Sequence, residues 1–156
     1  MTPVKTAPVA KVQGCTNLKL RQLTRQVSRH FDAEVAQAGL RITQYSLLSH
    51  VVKLGPLRPV DLARWMRMEP STLTRNLRPL IDQGWVVLEP GADARSRLVS
   101  ATDAGRAKRA EAQRHWRTAQ ESLNQQLGAQ RVMALHALLD ECGDLLAPAA
   151  EGEDDE

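Results

Sequence analysis

The chain is poor in the residues that carry covalent or metal chemistry. Of its 156 residues only two are cysteines, Cys15 and Cys142, far apart in the sequence. Such a pair makes no disulfide framework and lacks the close Cys spacing of a zinc site. The four histidines, His30, His50, His115 and His136, show no HxxxH or HExxH spacing, so neither a metal site nor a cofactor is expected. No apolar run approaches the roughly 18–20 residues that a membrane span needs. Residues 1–14 hold no continuous apolar segment of the signal-peptide type, so a cytoplasmic location away from the membrane is expected. A nucleophile–base constellation, a paired-carboxylate site and a Gly-rich phosphate loop are also missing, which argues against an enzyme.

What the chain does have is one domain's worth of ordinary core material and an uneven charge. Apolar residues make up 42% and charged residues 25% of the sequence, a globular composition. The net charge of +3 conceals an asymmetry, because the last six residues carry five of the 18 acids. The rest of the chain sets 21 basic side chains against 13 acids and stands at +8. A basic body suits a polyanionic partner, most simply nucleic acid. The acidic run reads as a solvated tail.

Periodicity places the elements. Leu20, Leu23, Val27, Phe31, Val35 and Ala38 recur at steps of three and four, one face of a first helix over about residues 17–38 that Gly39 ends. A second helix, with Thr43 as its N-cap, carries Tyr45, Leu47, Leu48, Val51 and Val52 and stops at Gly55-Pro56. Pro59 and Pro70 each open a short helix, at a position where the missing N–H costs nothing. The second of these runs to Gln83, and Gly84 with Trp85 is arranged for a Schellman ending packed back on Leu80. Val86–Glu89 and Arg97–Ser100 are β-prone segments around Pro90–Ala94, a hairpin with a charged tip. Thr102 then caps a long helix bearing Ala112, Trp116, Ala119, Leu123 and Leu127, and a last helix follows Gly128. The order α-α-α-α-β-hairpin-α-α is mainly helical and contains a helix-turn-helix followed by a wing. The outer helices have wide apolar faces that no other segment covers, so a second copy of the chain is expected to bury them in an intertwined homodimer.

The segment opened by Pro70 divides into two faces. Leu73, Leu77, Leu80 and Ile81 anchor it, while Ser71, Thr72, Thr74, Arg75 and Arg78 point the other way. Hydroxyls reach phosphates or base edges, and arginine forms two hydrogen bonds to guanine, so this face suits a major groove. At the hairpin tip Arg95 and Arg97 project on a thin ribbon that suits a narrow, negative minor groove. Asp93 is placed to hold Arg95 by a charge-assisted bond.

Leu62-Ala63, Ser71-x-x-Thr74-Arg75-x-Leu77, Leu80-x-x-x-Gly84, Asp93-x-Arg95 and Thr102-x-x-Gly105 follow one another in an order and spacing that resemble the MarR (multiple-antibiotic-resistance regulator) family. The resemblance covers about residues 18–147, and the Asp-x-Arg wing followed by Thr-x-x-Gly is its most specific part. It implies a dimeric winged-helix transcriptional regulator, mostly of the repressor type, on a pseudo-palindromic operator of double-stranded DNA. Release by a small phenolic or aromatic-acid ligand, or by thiol oxidation, is implied with it. Pro79 inside the recognition helix and Ala101 before the Thr-x-x-Gly threonine depart from the pattern, yet neither removes a DNA-contacting group.

The resemblance divides the chain into a flexible arm (1–14), a helical dimerisation region (15–40 with 103–147), a winged helix-turn-helix (41–102) and an acidic disordered tail (148–156). In such proteins the effector sits between the dimerisation helices and the winged-helix lobe, which points to Arg21, Tyr45, His50 and Trp116 as liners for an aromatic carboxylate. The stretches Cys15–Leu23 and Trp116–Gln120 are similar to a branch tied to catabolic gene clusters, nicotinate breakdown among them. Cys15, near the start of the first helix where the dipole favours a thiolate, offers a redox alternative in which a sulfenic acid recruits a partner thiol such as Cys142. A helical interaction module without DNA binding is the alternative of another class.

Overall fold

The computed structural model describes residues 12–148. The arm up to residue 11 and the acidic tail from residue 149 lie outside the described residues. Helix α1 runs Thr16–Val35 and tightens into a 3-10 turn, Ala36–Ala38, before Gly39. Gly39 takes φ 77°, the left-handed conformation that a residue without Cβ adopts at little cost.

Helix α2 (Ile42–Leu54) starts two residues before the expected place. Thr43 is not its cap. Arg41 holds that position, with its N–H donating to Gln44 Oε1 at 2.9 Å, and Ile42 N–H donates to Asp32 Oδ1 of α1 at 2.7 Å. A carboxylate from ten residues upstream thus satisfies an orphan donor that a local hydroxyl would otherwise serve. That cap is tertiary, so no local pattern announces it.

Helices α3 (Pro59–Trp65) and α4 (Pro70–Asp82) each begin on proline, as expected. Pro79 lies inside α4 and the helix continues through it. Its ring withholds one i→i−4 bond on the exposed side, while Leu73, Leu77 and Leu80 stay buried on the other. The Schellman ending forms as read: Trp85 N–H donates to Leu80 O at 3.0 Å and Gly84 N–H to Ile81 O at 2.9 Å.

Strands β1 (Val86–Pro90) and β2 (Arg97–Ala101) pair antiparallel, from Val86 opposite Ala101 to Pro90 opposite Arg97. Leu57 adds a one-residue bridge to Val99, with N···O distances of 3.2 and 2.8 Å. A single residue carries no period, so no local pattern predicts a strand there. Thr102 caps α5 (Asp103–Leu127) by accepting the Gly105 N–H at 3.0 Å, and its hydroxyl donates to Gly84 O at 2.6 Å. Gly105 is buried where a Cβ would collide with the Trp85 carbonyl.

The core gathers Val35, Leu47, Leu48, Val51, Leu62, Leu73, Leu80, Val86 and Val99, with Ala112 of α5 closing one side. Helix α5 therefore belongs to two structures at once, packing on α2 and the wing near its start and on α1 along its length. Helix α6 (Ala129–Leu145) is different, since it buries only Val132. Met133 is 68% exposed, Leu138 58% and Leu146 84%, and Leu18 and Leu20 of α1 are exposed as well.

The junction at Thr102 and Gly105 yields a stability prediction. Thr102→Ala removes a cap and leaves Gly84 O without its donor, and is expected to cost about 1–2 kcal/mol. Gly105→Ala forces a Cβ into the Trp85 carbonyl and is expected to cost about 1–3 kcal/mol. Urea unfolding at fixed protein concentration measures both, and a neutral Gly105→Ala contradicts the close packing described.

Candidate nucleic-acid interface

The lobe built by α3, α4 and the β1–β2 wing is where the sequence concentrates exposed arginine. Buried Leu62 and Ala63 set α3 against α4, and the turn between them closes with Met68 N–H on Ala63 O at 2.9 Å. On α4 the buried leucines recur every three or four residues, which turns Ser71, Thr74, Arg75 and Arg78 outward and leaves Thr72 half-buried. The face read from the sequence is therefore present as a face.

Its members are not equivalent. Thr74 Oγ1 donates to Pro70 O at 3.0 Å, so that hydroxyl hydrogen is already engaged. Arg78 Nε lies 3.0 Å from Asp82 Oδ1, one turn on. In α3, Asp61 receives Arg58 at 2.8 and 3.2 Å and Arg64 at 3.3 Å. The Arg58 bond is the main reason the Asp61 carboxyl lies below the usual aspartate range. Arg75, Arg95 and Arg97 are exposed and, among the described residues, their guanidinium groups have no partner within hydrogen-bond or ion-pair distance. Within this lobe, and among the described residues, these three are the cations left over for an outside anion.

The wing tip departs from the expectation. Asp93 does not hold the Arg95 guanidinium. Its Oδ1 accepts the backbone N–H of Ser96 at 2.7 Å and of Arg95 at 3.0 Å. The carboxylate folds the tip as an Asx turn, because a short side chain reaches nearby main-chain donors more readily than the end of a long flexible cation. Asp93 thus places Arg95 by shaping the backbone that carries it.

The sequence matches the MarR family over residues 38–96, the stretch from the end of α1 to the wing tip. The chain is 30% identical to the M. tuberculosis transcriptional regulator MosR, solved in complex with DNA, with 86% of this chain and 100% of that chain covered and a TM-score of 0.74. The chain belongs to the MarR family. A MarR variant from E. coli, solved with operator DNA, shares the fold at a TM-score of 0.74 and 23% identity, over 81% of this chain and 91% of that one. An uncharacterised HTH-type transcriptional regulator of Bacillus subtilis, YwoH, is 27% identical over 84 residues, 54% of this chain. That match spans 61% of YwoH, about three-fifths of the length of the curated relative.

MarR-family proteins are DNA-binding transcription regulators and not enzymes, and a helical module that merely borrows the fold no longer fits. Among the described residues no helix is long and apolar enough to cross a membrane.

This MarR-family chain also has a cleft of about 390 Å³ where α1, α2 and α5 meet. Tyr45, His50 and Trp116, three of the four residues expected to line one cleft, line it together. The Tyr45 and Trp116 rings stack with centroids 6.2 Å apart, and His50 Nδ1 lies 2.7 Å from Ser46 O. That carbonyl fixes the proton on Nδ1 and leaves Nε2 as the outward atom. Arg21 is a correction, because it does not line the cleft. It is exposed on α1 two turns before Ser28, roughly 10 Å along the axis. Val27, Ser28, Phe31, Ile42, Ser46 and Ser49 complete the wall and were not singled out from the sequence. The i,i+4 pairs Tyr45–Ser49 and Ser46–His50 were the available signal, since such pairs share a helix face. Ser49 Oγ is buried with no partner among the described residues. Cys15 is exposed at the N-cap of α1, and Cys142 is exposed on α6.

The Asx turn has a pH signature. The backbone donors of Ser96 and then Arg95 hold the Asp93 carboxyl below the usual aspartate range. Their stabilisation of the wing is complete above the ordinary aspartate value and disappears as the pH falls through the lowered one. Amide resonances of Arg95 and Ser96 should titrate with a midpoint below that of an unperturbed aspartate, and a midpoint at or above it would contradict the turn.

Proposed function

We propose that the chain is a homodimeric repressor that leaves an inverted-repeat operator when a small aromatic carboxylate enters the cleft beside Tyr45. In this reading residues 15–40 and 103–147 dimerise, residues 41–102 bind DNA, and the regulated genes form a nearby catabolic or stress operon. The observation that carries the DNA assignment is the pair Arg75 and Arg95, exposed and without partners among the described residues on the helix and on the wing. Ser71, Thr72, Thr74, Arg75 and Arg78 serve the major groove, with Arg75 reading a base edge. Arg95 and Arg97 serve the minor groove, and Asp93 shapes the turn that presents them.

Dimerisation follows from the bare faces of α1 and α6. Leu18, Leu20, Met133, Leu138, Leu139, Leu145 and Leu146 stay exposed in a single chain, and a two-fold partner offers the same surface in return. The effector class rests on the cleft itself. Two flat aromatic walls suit a ring, and the serine hydroxyls beside His50 can donate to a single carboxylate. A thiol-based alternative is kept because Cys15 is exposed at the N-cap of α1.

Binding titrations at several salt concentrations test the reading. Arg75→Ala should cost about 1–3 kcal/mol on the operator and relax preference at one position in each half-site. Arg95→Ala should weaken binding to many sequences, lower the salt slope and hurt most beside A/T-rich flanks. Unchanged operator affinity in both variants would overturn the assignment.

Sizing should give a dimer near twice 17.3 kDa. The operator half-site centres should lie about one helical turn, roughly 10 bp, or a multiple of it apart. A pyridine or benzene carboxylate should raise thermal stability and release DNA, and Trp116→Ala should abolish both effects. If every carboxylate is inert while peroxide releases the parent protein and spares Cys15→Ser, the thiol reading replaces the ligand one.

A further inference from the structure

Arg67 sits in the turn between α3 and α4 and takes φ 50°, the one non-glycine residue with positive φ among the described residues. A side chain with a Cβ pays for that conformation, so something else must favour it there. Its guanidinium crosses to the far end of α6, where Nη2 lies 2.6 Å from Asp144 Oδ1, 77 residues away in sequence. The Nη1 end of the guanidinium passes close to α6 at Gly143, in the space that a Cβ would take. Three features therefore meet at one point: a left-handed arginine, a carboxylate to receive it, and a glycine that makes room. Among the described residues this is the one side-chain hydrogen bond joining α6 to the winged-helix lobe.

We propose that Arg67, Gly143 and Asp144 form an interlock that fixes the helix-turn-helix relative to α6, and so sets the half-site spacing the dimer accepts. The proposal rests on reading α4 as the recognition helix and α6 as a dimerisation helix. Two recognition helices reach successive major grooves only if each lobe is held at a set distance from the two-fold axis. Helix α6, which buries only Val132 in its own chain, supplies the axis side of that ruler, and Arg67 ties the lobe to it. The pair is exposed, with side chains 57% and 74% accessible, so its role is in position and not in global stability. Arg67 is a positioning residue and touches no DNA.

The test uses the full chain and the duplex it protects from nuclease in the upstream region of its own gene, beside duplexes with one or two base pairs added between the half-sites. Arg67→Ala and Asp144→Ala should each weaken binding at native spacing by about three- to tenfold, with a smaller loss on the lengthened duplexes, so that spacing preference shrinks. The double variant should be no worse than either single one, and Arg67→Glu with Asp144→Arg should restore the preference. Gly143→Ala should give a milder defect than Asp144→Ala, because the atom its Cβ meets is the movable end of the Arg67 side chain. All variants should remain dimers with the parent salt slope.

If instead Arg67→Ala lowers the salt slope by about one and Asp144→Ala tightens binding, Arg67 is a phosphate contact and the interlock is wrong. Arg75→Ala serves as the control. If it abolishes operator binding while spacing preference survives in every interlock variant, the interlock fails and the recognition helix stands. If Arg75→Ala changes nothing, the reading of α4 fails and the interlock with it.

Discussion

A knot of a few atoms at Thr102 holds the functional lobe together. Its hydroxyl accepts from Gly105 and donates to Gly84 O, and its own N–H donates to Trp85 O at 3.0 Å. Trp85 in turn closes the Schellman ending on Leu80, so the end of α4, the root of the wing and the start of α5 share one junction. Gly105 makes the crossing physically available, because any Cβ there meets the Trp85 carbonyl. Without it the long helix would stand off from the wing, and the angle between α4 and wing would no longer be set by hydrogen bonds. The Thr-x-x-Gly spacing is thus a three-way joint.

On that joint the surface is sorted by pairing. Asp61 pairs with both Arg58 and Arg64 around α3, and Asp82 engages Arg78. Within this lobe the guanidinium groups without such partners among the described residues, on Arg75, Arg95 and Arg97, lie on the two elements that a winged helix offers to DNA. Composition gives the lobe its positive sign, and the internal carboxylates decide which cations remain available. Asp93 works differently again, spending its charge on backbone donors to shape the tip that carries Arg95.

The cleft and the lobe meet in Tyr45. Its ring belongs to the buried core and also to the cleft wall beside Trp116. On the proposed reading a ligand stacked there would press on a side chain shared with the core, a contiguous physical route from the cleft to the lobe. Two discrete arrangements of the lobe are what such a route would need in order to act as a switch.

Much of this was legible in the residue order alone. The apolar period of α1, the proline starts of α3 and α4, the glycine end at Gly84, the hairpin and the Thr102 cap all appear where local patterns put them, because each is decided by neighbours three or four residues apart. The exposed faces of α4 and α6 followed from the same periodicity. Tertiary structure decided whatever depends on a distant partner. Asp32 caps α2 and displaces Thr43 from that role. Leu57 bridges Val99, and Arg21 falls two turns short of the cleft that Tyr45, His50 and Trp116 share. Arg67 reaches Asp144 across 77 residues. Hydrogen bonds and cavity walls of this kind join segments with no common period, so only the packed chain brings them together.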